Sequence, residues 1–299
     1  MKVRSSSSPR QVRRATAQGL SFILPNFVGF AVFTLVPLVI ALALAFMSWD
    51  AGHDPTFVGL ANFQRMVTDL NFRAALVNTL LFALGTVPLT LVVSLGLAAL
   101  LNSKIPGLRF FRAAMFFPYI TSLVAVAAVW NMLFSVNSGP INTFLRTLGM
   151  QDPPGWTASP QWALVSLIIV SVWRGMGYYM ILFLAGLQSI PTQLYEAAQM
   201  DGAGRWKQFL HVTLPGLRPT TFFVMIMLTI SSFKIFDLVQ VMTEGGPGRS
   251  TLVLAYQVYQ EGIVKGRFGY ASAISMVLFA IVLIVTIVQF RMEEKHVDH

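Results

Sequence analysis

Residues 74–103, AALVNTLLFALGTVPLTLVVSLGLAALLNS, run from Arg73 to Lys104 without one charged side chain. About 20 residues at 1.5 Å each cross a hydrocarbon core about 30 Å thick, so the stretch is long enough to span a membrane as a helix. LVVSLGLAALL at 91–101 and MVLFAIVLIVTIV at 276–288 are continuously apolar. A barrel strand would be about ten residues of strict alternation, so length and continuity select helices.

The same pattern recurs on both sides of the quoted stretch. No charge lies between Arg14 and Asp50, or between Arg112 and Arg146. These runs predict helices near 20–48, 74–101 and 113–135. Further apolar runs predict 161–187, interrupted by Arg174, then 216–240, with Lys234 and Asp237 toward its far end, and 271–290. The expected fold is all-α: a polytopic membrane protein with six transmembrane helices spanning 20–290, between an N-terminal segment 1–19 and a tail 291–299.

Composition supports this class. Of the 299 residues, 55% are hydrophobic and 11% charged, against about a quarter charged in a soluble domain. Twelve acids and 21 bases cannot cover a soluble globule of this size, which excludes a soluble enzyme.

The bases also set an orientation. The side holding the N-terminus carries Lys2, Arg4, Arg10, Arg13, Arg14, Lys104, Arg109, Arg112, Arg205, Lys207, Arg218, Arg291 and Lys295. The opposite side carries only Arg65, Arg73, Arg146, Arg249, Lys265 and Arg267. The first side is therefore expected to be cytoplasmic, with both termini on it, in a bacterial or archaeal cell membrane. Net charge is +9, but the bases are spread over several loops, so anionic lipid rather than nucleic acid explains them. The first apolar run is too long for a cleaved signal. Cysteine is absent and His53, His211, His296 and His299 are scattered, which leaves no metal cluster to propose.

The loop after the fourth span, LQSIPTQLYEAAQMDGAGRWKQFLHVTLPGLRP at 187–219, is too polar for lipid. Pro191 and Thr192 start a short helix, which Gly202 and Gly204 stop. Leu194, Ala197 and Ala198 share a face of it, with Glu196 beside them. A second helical piece, RWKQFLHVTL, runs to Pro215, which suits the first turn of the fifth span.

Glu196-Ala197-Ala198, Gly202 after three more residues, and Val212-Thr213-Leu214-Pro215 after nine more resemble the EAA motif of permease subunits in binding-protein-dependent ABC importers. Isoleucine is commoner in that motif where Val212 stands. FVGLANFQRMV (57–67), ILFLAGLQSIP (181–191), FDLVQVMTEGGPG (236–248) and FGYASAISMVLF (268–279) are similar, in this order, to segments of carbohydrate-uptake permeases of the maltose and glycerol-3-phosphate type. The GGPG segment resembles the larger maltose permease rather than its smaller partner.

The resemblance implies a non-catalytic subunit carrying half of a pathway for a sugar or oligosaccharide, with glycerol-3-phosphate or a polyol as the alternative solute. It implies a second homologous permease, two ATPase subunits that bind the ATP and magnesium, and an extracytoplasmic solute-binding protein. The loop 188–215 would couple to the ATPase through Glu196, Ala197, Ala198, Asp201, Gly202, Leu214 and Pro215. This chain itself has no phosphate-cradling G-x-x-x-x-G-K-[ST] loop; GGPGRS at 245–250 lacks the lysine and reads as a turn. A secondary transporter would show intramembrane acids, and the only acid within a span is Asp237, near its end.

For the pathway, Ser171, Gly175 and Tyr178 share a face of the fourth span, and Leu228, Ser231, Ser232 and Ile235 a face of the fifth. These positions match sugar-contacting ones in the maltose-type permease, although several lack that family's polar groups. Tyr119 and Ser122 lie at an expected proline kink in the third span. Arg174 sits mid-span, where a charge costs at least a few kcal/mol, and should face the pathway or a buried partner. Lys234 and Asp237, three apart, are expected to pair on one helix face, with a role in binding an anionic solute as the alternative. The loops 50–72, 136–160 and 241–270 are long enough to receive a binding protein, and STLVLAYQVYQEGI reads as an amphipathic helix through Leu252, Tyr256, Tyr259 and Ile263.

Overall fold

The computed structural model describes the backbone of residues 9–103 and 106–297, and the side chains of 20–103 and 106–293. The side chains of the basic N-terminal segment 1–19, of Lys104 and Lys295, and of His296 and His299 lie outside the described residues.

The first span is α1 (Pro9–Phe30), a π turn (Ala31–Leu35) and α2 (Val36–Leu44). It stops short of residue 48 because Met47–Ser48 (β1) pairs antiparallel with Thr56–Phe57 (β2). Then come α3 (Ala61–Thr68), α4 (Leu70–Leu101), α5 (Leu108–Ile120), α6 (Leu123–Leu133), α7 (Pro140–Thr147) and α8 (Pro160–Ser189). The remainder is α9 (Thr192–Met200), α10 (Arg205–Gln208) leading through a π turn into α11 (Leu214–Gly216), α12 (Arg218–Phe233), α13 (Asp237–Met242), α14 (Leu254–Tyr259) with its π extension Gln260–Val264, and α15 (Phe268–Val297).

Four helical stretches are long and apolar enough to cross a membrane: Leu20–Leu44, Leu70–Leu101, Pro160–Ser189 and Phe268–Glu293. Two bent pairs bring the number to six if each is one span. The expected 113–135 span is one of them: α5 and α6 meet at 98°. Thr121 and Ser122 leave the helical backbone region, at ψ 155° and 125°, so the helical ladder stops after Ile120. The Thr121 hydroxyl caps the freed Pro118 carbonyl at 2.8 Å.

The other pair corrects the expected 216–240 helix. Pro215 belongs to the preceding amphipathic segment, and Pro219 occupies the first turn of α12, with 65° between the two. At the far end α12 stops at Phe233, and a new helix begins at Asp237. The break turns Ile235, Phe236 and Leu238 into the core. It also separates Lys234 from Asp237, and no ion pair joins them among the described residues.

α4 and α8 form the central pair, with α5 and α12 packed on them and α15 joining α12, α14 and α2. α5 lies so close to α8 that a Cβ at Gly177 would collide with the Met115 carbonyl. Two apolar clusters result. One, around Phe82, Leu167, Val239, Leu254 and Ile274, runs toward the loop-rich end. The other, around Met180, Phe183, Leu217 and Val224, runs toward α9.

At the loop-rich end, residues 50–72 and 241–270 come together. The backbone of Asp50 pairs antiparallel with that of Arg267, and the Asn78 side-chain amide donates to the Arg249 and Leu252 carbonyls at 2.7 and 2.9 Å. Residues 245–250 form a turn, as expected, with positive φ at Gly245 and Gly248. The amphipathic reading of 250–263 is corrected in part: Leu252 and Tyr256 are buried and Tyr259 half-buried, but the π extension turns Ile263 outward, 69% exposed.

Candidate functional site

Between the two apolar clusters lies a cavity of about 250 Å³. Its walls come from α4 (Phe82, Thr86, Thr90), the α5–α6 bend (Tyr119, Leu123), α8 (Ser171, Arg174, Gly175, Tyr179), α12 (Leu228, Ser231, Ser232) and the 234–238 break (Lys234, Ile235, Phe236, Asp237, Leu238). The breaks in the third and fifth spans bring these walls together.

Arg174 lies mid-helix in α8 and faces the cavity, as expected of a charge that must avoid lipid. One Nη donates to the Tyr119 carbonyl at 3.3 Å, a carbonyl near the broken end of α5. The guanidinium also lies over the Tyr119 ring, 5.3 Å from its centroid. Its Nε is buried without a hydrogen-bond partner.

Of the residues expected along the pathway, Tyr119, Ser171, Arg174, Gly175, Leu228, Ser231, Ser232 and Ile235 line the cavity. Two do not. Ser122 precedes α6 in extended backbone, and Tyr178 turns aside to stack on Tyr119, with centroids 4.4 Å apart and planes at 10°. Ile235 reaches the wall from the break rather than from a continued helix.

Sequence reading missed the α4 wall. Thr79, Thr86, Thr90 and Ser94 recur at i, i+7, i+11 and i+15, which marks one helix face, and all four are buried. The hydroxyls of Thr86, Thr90 and Ser94 have no partner. That hydroxyl stripe was a legible signal within an otherwise apolar run.

A second locus is α9. Leu194, Glu196, Ala197 and Met200 are exposed on it, and Ala198 is half-buried. Tyr195, on the opposite face, reaches Thr213 with oxygens 3.0 Å apart and so ties α9 to the π turn after α10. Asp201 ends the helix, and Gly202 follows at φ +74° in open space. This left-handed residue lets the Gly202 and Ala203 amides close on the Gln199 and Ala198 carbonyls at 3.0 and 2.8 Å. Leu214 is half-buried and Pro215 exposed beside this loop.

Residues 91–295 match the family model described as the binding-protein-dependent transport system inner membrane component. The chain belongs to that family. It is therefore a multi-pass permease component of a binding-protein-dependent transport system.

Two relatives of this permease are each 37% identical to it. The lactose transport system permease protein LacF of Rhizobium radiobacter matches over 91% of this chain and 92% of its own length. A probable ABC transporter permease, YesP of Bacillus subtilis (strain 168), matches over 94% and 92%. A crystal structure of a bacterial ABC transporter involved in import of the acidic polysaccharide alginate contains a chain with the same fold. Its TM-score is 0.83 at 23% identity, covering 96% of this permease and 98% of that chain.

Proposed function

We propose that this permease forms half of the pathway by which an ATP-driven importer carries a sugar or oligosaccharide, received from an extracytoplasmic binding protein, into a bacterial or archaeal cell. The observation that carries the reading is the cavity, a pocket of hydroxyls and charged groups enclosed by spans that are otherwise apolar. Likeness to a lactose permease over nearly the whole chain supports a carbohydrate as the solute. At about 250 Å³, below the roughly 300–1,000 Å³ of drug-sized ligand sites, the cavity suits one sugar unit at a time.

The second homologous permease would close the open side of this cavity. Two ATPase subunits would hold the ATP and magnesium and receive α9, through Glu196, Ala197, Ala198, Asp201 and Gly202, with Leu214 and Pro215 bracing the loop. The exposure of α9 and its tether from Tyr195 to Thr213 support a coupling role, because force on the helix reaches α12 through the segment 205–216. Both termini would then lie in the cytoplasm with α9.

The test is uptake by the assembled transporter carrying Glu196→Ala or Gly202→Leu. The expected outcome is loss of ATP-driven uptake and weaker retention of the ATPase, with membrane insertion unchanged. Leucine at φ +74° adds backbone strain of about 1 kcal/mol, too little to unfold the bundle. Normal uptake by both variants would refute the coupling assignment.

A further inference from the structure

Among the cavity walls, the charged side chains are Arg174, Lys234 and Asp237. No carboxylate lies within ion-pair distance of either cation among the described residues, where the only ion pairs join Glu261 to Lys265 and Arg267. Arg174 is the deeper of the two, part-way along a helix of 30 residues.

A guanidinium offers five donors in a planar fork. In Arg174 one bond holds the group to the Tyr119 carbonyl, and the ring face of Tyr119 sets its plane. The buried Nε is left unused. A cation held in place by its neighbours, with donor capacity remaining, is arranged for an oxyanion from outside the chain. Around it stand the unpartnered hydroxyls of Thr86 and Thr90, with Ser171, Ser231 and Ser232 on the same cavity. Those groups suit a polyhydroxylated body. Charge and hydroxyls together specify more than a neutral sugar requires.

Resting on the importer reading above, we propose that the transported solute is a sugar or polyol bearing an oxyanion, a carboxylate or a phosphate, and that Arg174 receives that anion in the cavity. Lys234, at the mouth formed by the broken fifth span, adds a second positive charge on the approach.

The experiment compares three solutes that share one ring and differ only at C6: galactose, galacturonate and galactose 6-phosphate. Binding to the assembled transporter in nanodiscs is measured for the wild type and for Arg174→Gln, Arg174→Lys and Lys234→Gln. At least one anion is expected to bind about tenfold or more tighter than galactose, as hydrogen bonds to a charged group would give. Which anion binds identifies carboxylate or phosphate as the natural group. Arg174→Gln should remove the preference, Arg174→Lys should restore part of it, and Lys234→Gln should reduce it.

Equal binding of all three by the wild type overturns the anion assignment and leaves the importer reading standing. Equal weakening of all three in Arg174→Gln means that Arg174 only braces the α5–α6 bend, and also overturns it. Should Arg174→Gln fail to insert, the wild-type preference and the Lys234→Gln series still decide. Binding of none of the three would overturn this assignment together with the cavity as a solute site; normal sugar uptake by the same preparation would still support the importer reading.

Discussion

At the loop-rich end of the bundle Glu261 is 2% exposed and holds both Lys265 and Arg267, with Gln257 donating to the same carboxylate. Thr79 there donates to the Ala75 carbonyl and accepts from the Leu254 amide at 2.9 Å. Two turns further along the same helix, Thr86 and Thr90 are as buried as Thr79, yet their hydroxyls meet nothing. Structural polar groups are paired because an unpaired buried one costs about 1–3 kcal/mol. Three of the unpaired groups, the Thr86 and Thr90 hydroxyls and the Arg174 Nε, belong to residues on the wall of the one cavity described above.

The comparison is sharpest at its two threonines. Thr79→Val should cost about 2 kcal/mol, since the Leu254 amide that opens α14 would be buried without an acceptor. Thr90→Val should change stability by less than about 0.5 kcal/mol while weakening solute binding. Thermal unfolding in nanodiscs and a binding assay read both. Equal destabilisation by the two would break the distinction between structural and pathway hydroxyls.

A smaller effect is expected at the ion pairs. Glu261→Gln should cost about 1 kcal/mol. Its loss leaves Lys265 and Arg267 unpaired, but their side chains are 39% and 41% exposed and water screens them. Solute affinity should not move, because Glu261 lies outside the cavity wall. A change in affinity with unchanged stability would place Glu261 on the pathway instead.

The smallest effect is a pH dependence. Asp69 is partly buried, which opposes ionisation. Hydrogen bonds from Tyr270 at 2.7 Å and from the Asn71 amide at 2.8 Å, with Arg65 nearby, outweigh that and hold its carboxyl below the ordinary range. A depressed folded value means that the ionised group stabilises the fold above its ordinary value near 3.8. That contribution disappears as pH falls through the folded value. Asp69→Asn should therefore flatten the loss of thermal stability below about pH 4 and leave the neutral range less stable than wild type. An unchanged acid limb would remove Asp69 from this account.

Legibility followed the range of the interactions involved. The long spans could be read locally, because apolar runs such as 74–101 answer to one solvent, lipid, wherever they sit in the bundle. Both ends of α9 were legible for the same reason: a helix start at Pro191 and a left-handed stop at Gly202 are decided within a few residues. Arg174 was legible as a residue turned away from lipid because a mid-span charge has few places to go, and it lines the cavity. Tyr195 escaped notice, since its partner Thr213 is 18 residues away and nothing local signals the tether.

Charge, length and glycine along the chain fix the class of protein, most of the helical spans, the helix–glycine–helix loop after the fourth span and most of the residues that line the cavity, because burial in lipid and the close of a helix are local matters. Packing among the helices decides that the third and fifth spans break, that Lys234 and Asp237 stand apart instead of pairing, and that Thr86 and Thr90 of α4 join the cavity wall. Those outcomes depend on which side chains other helices bring alongside. No single run of residues carries that information.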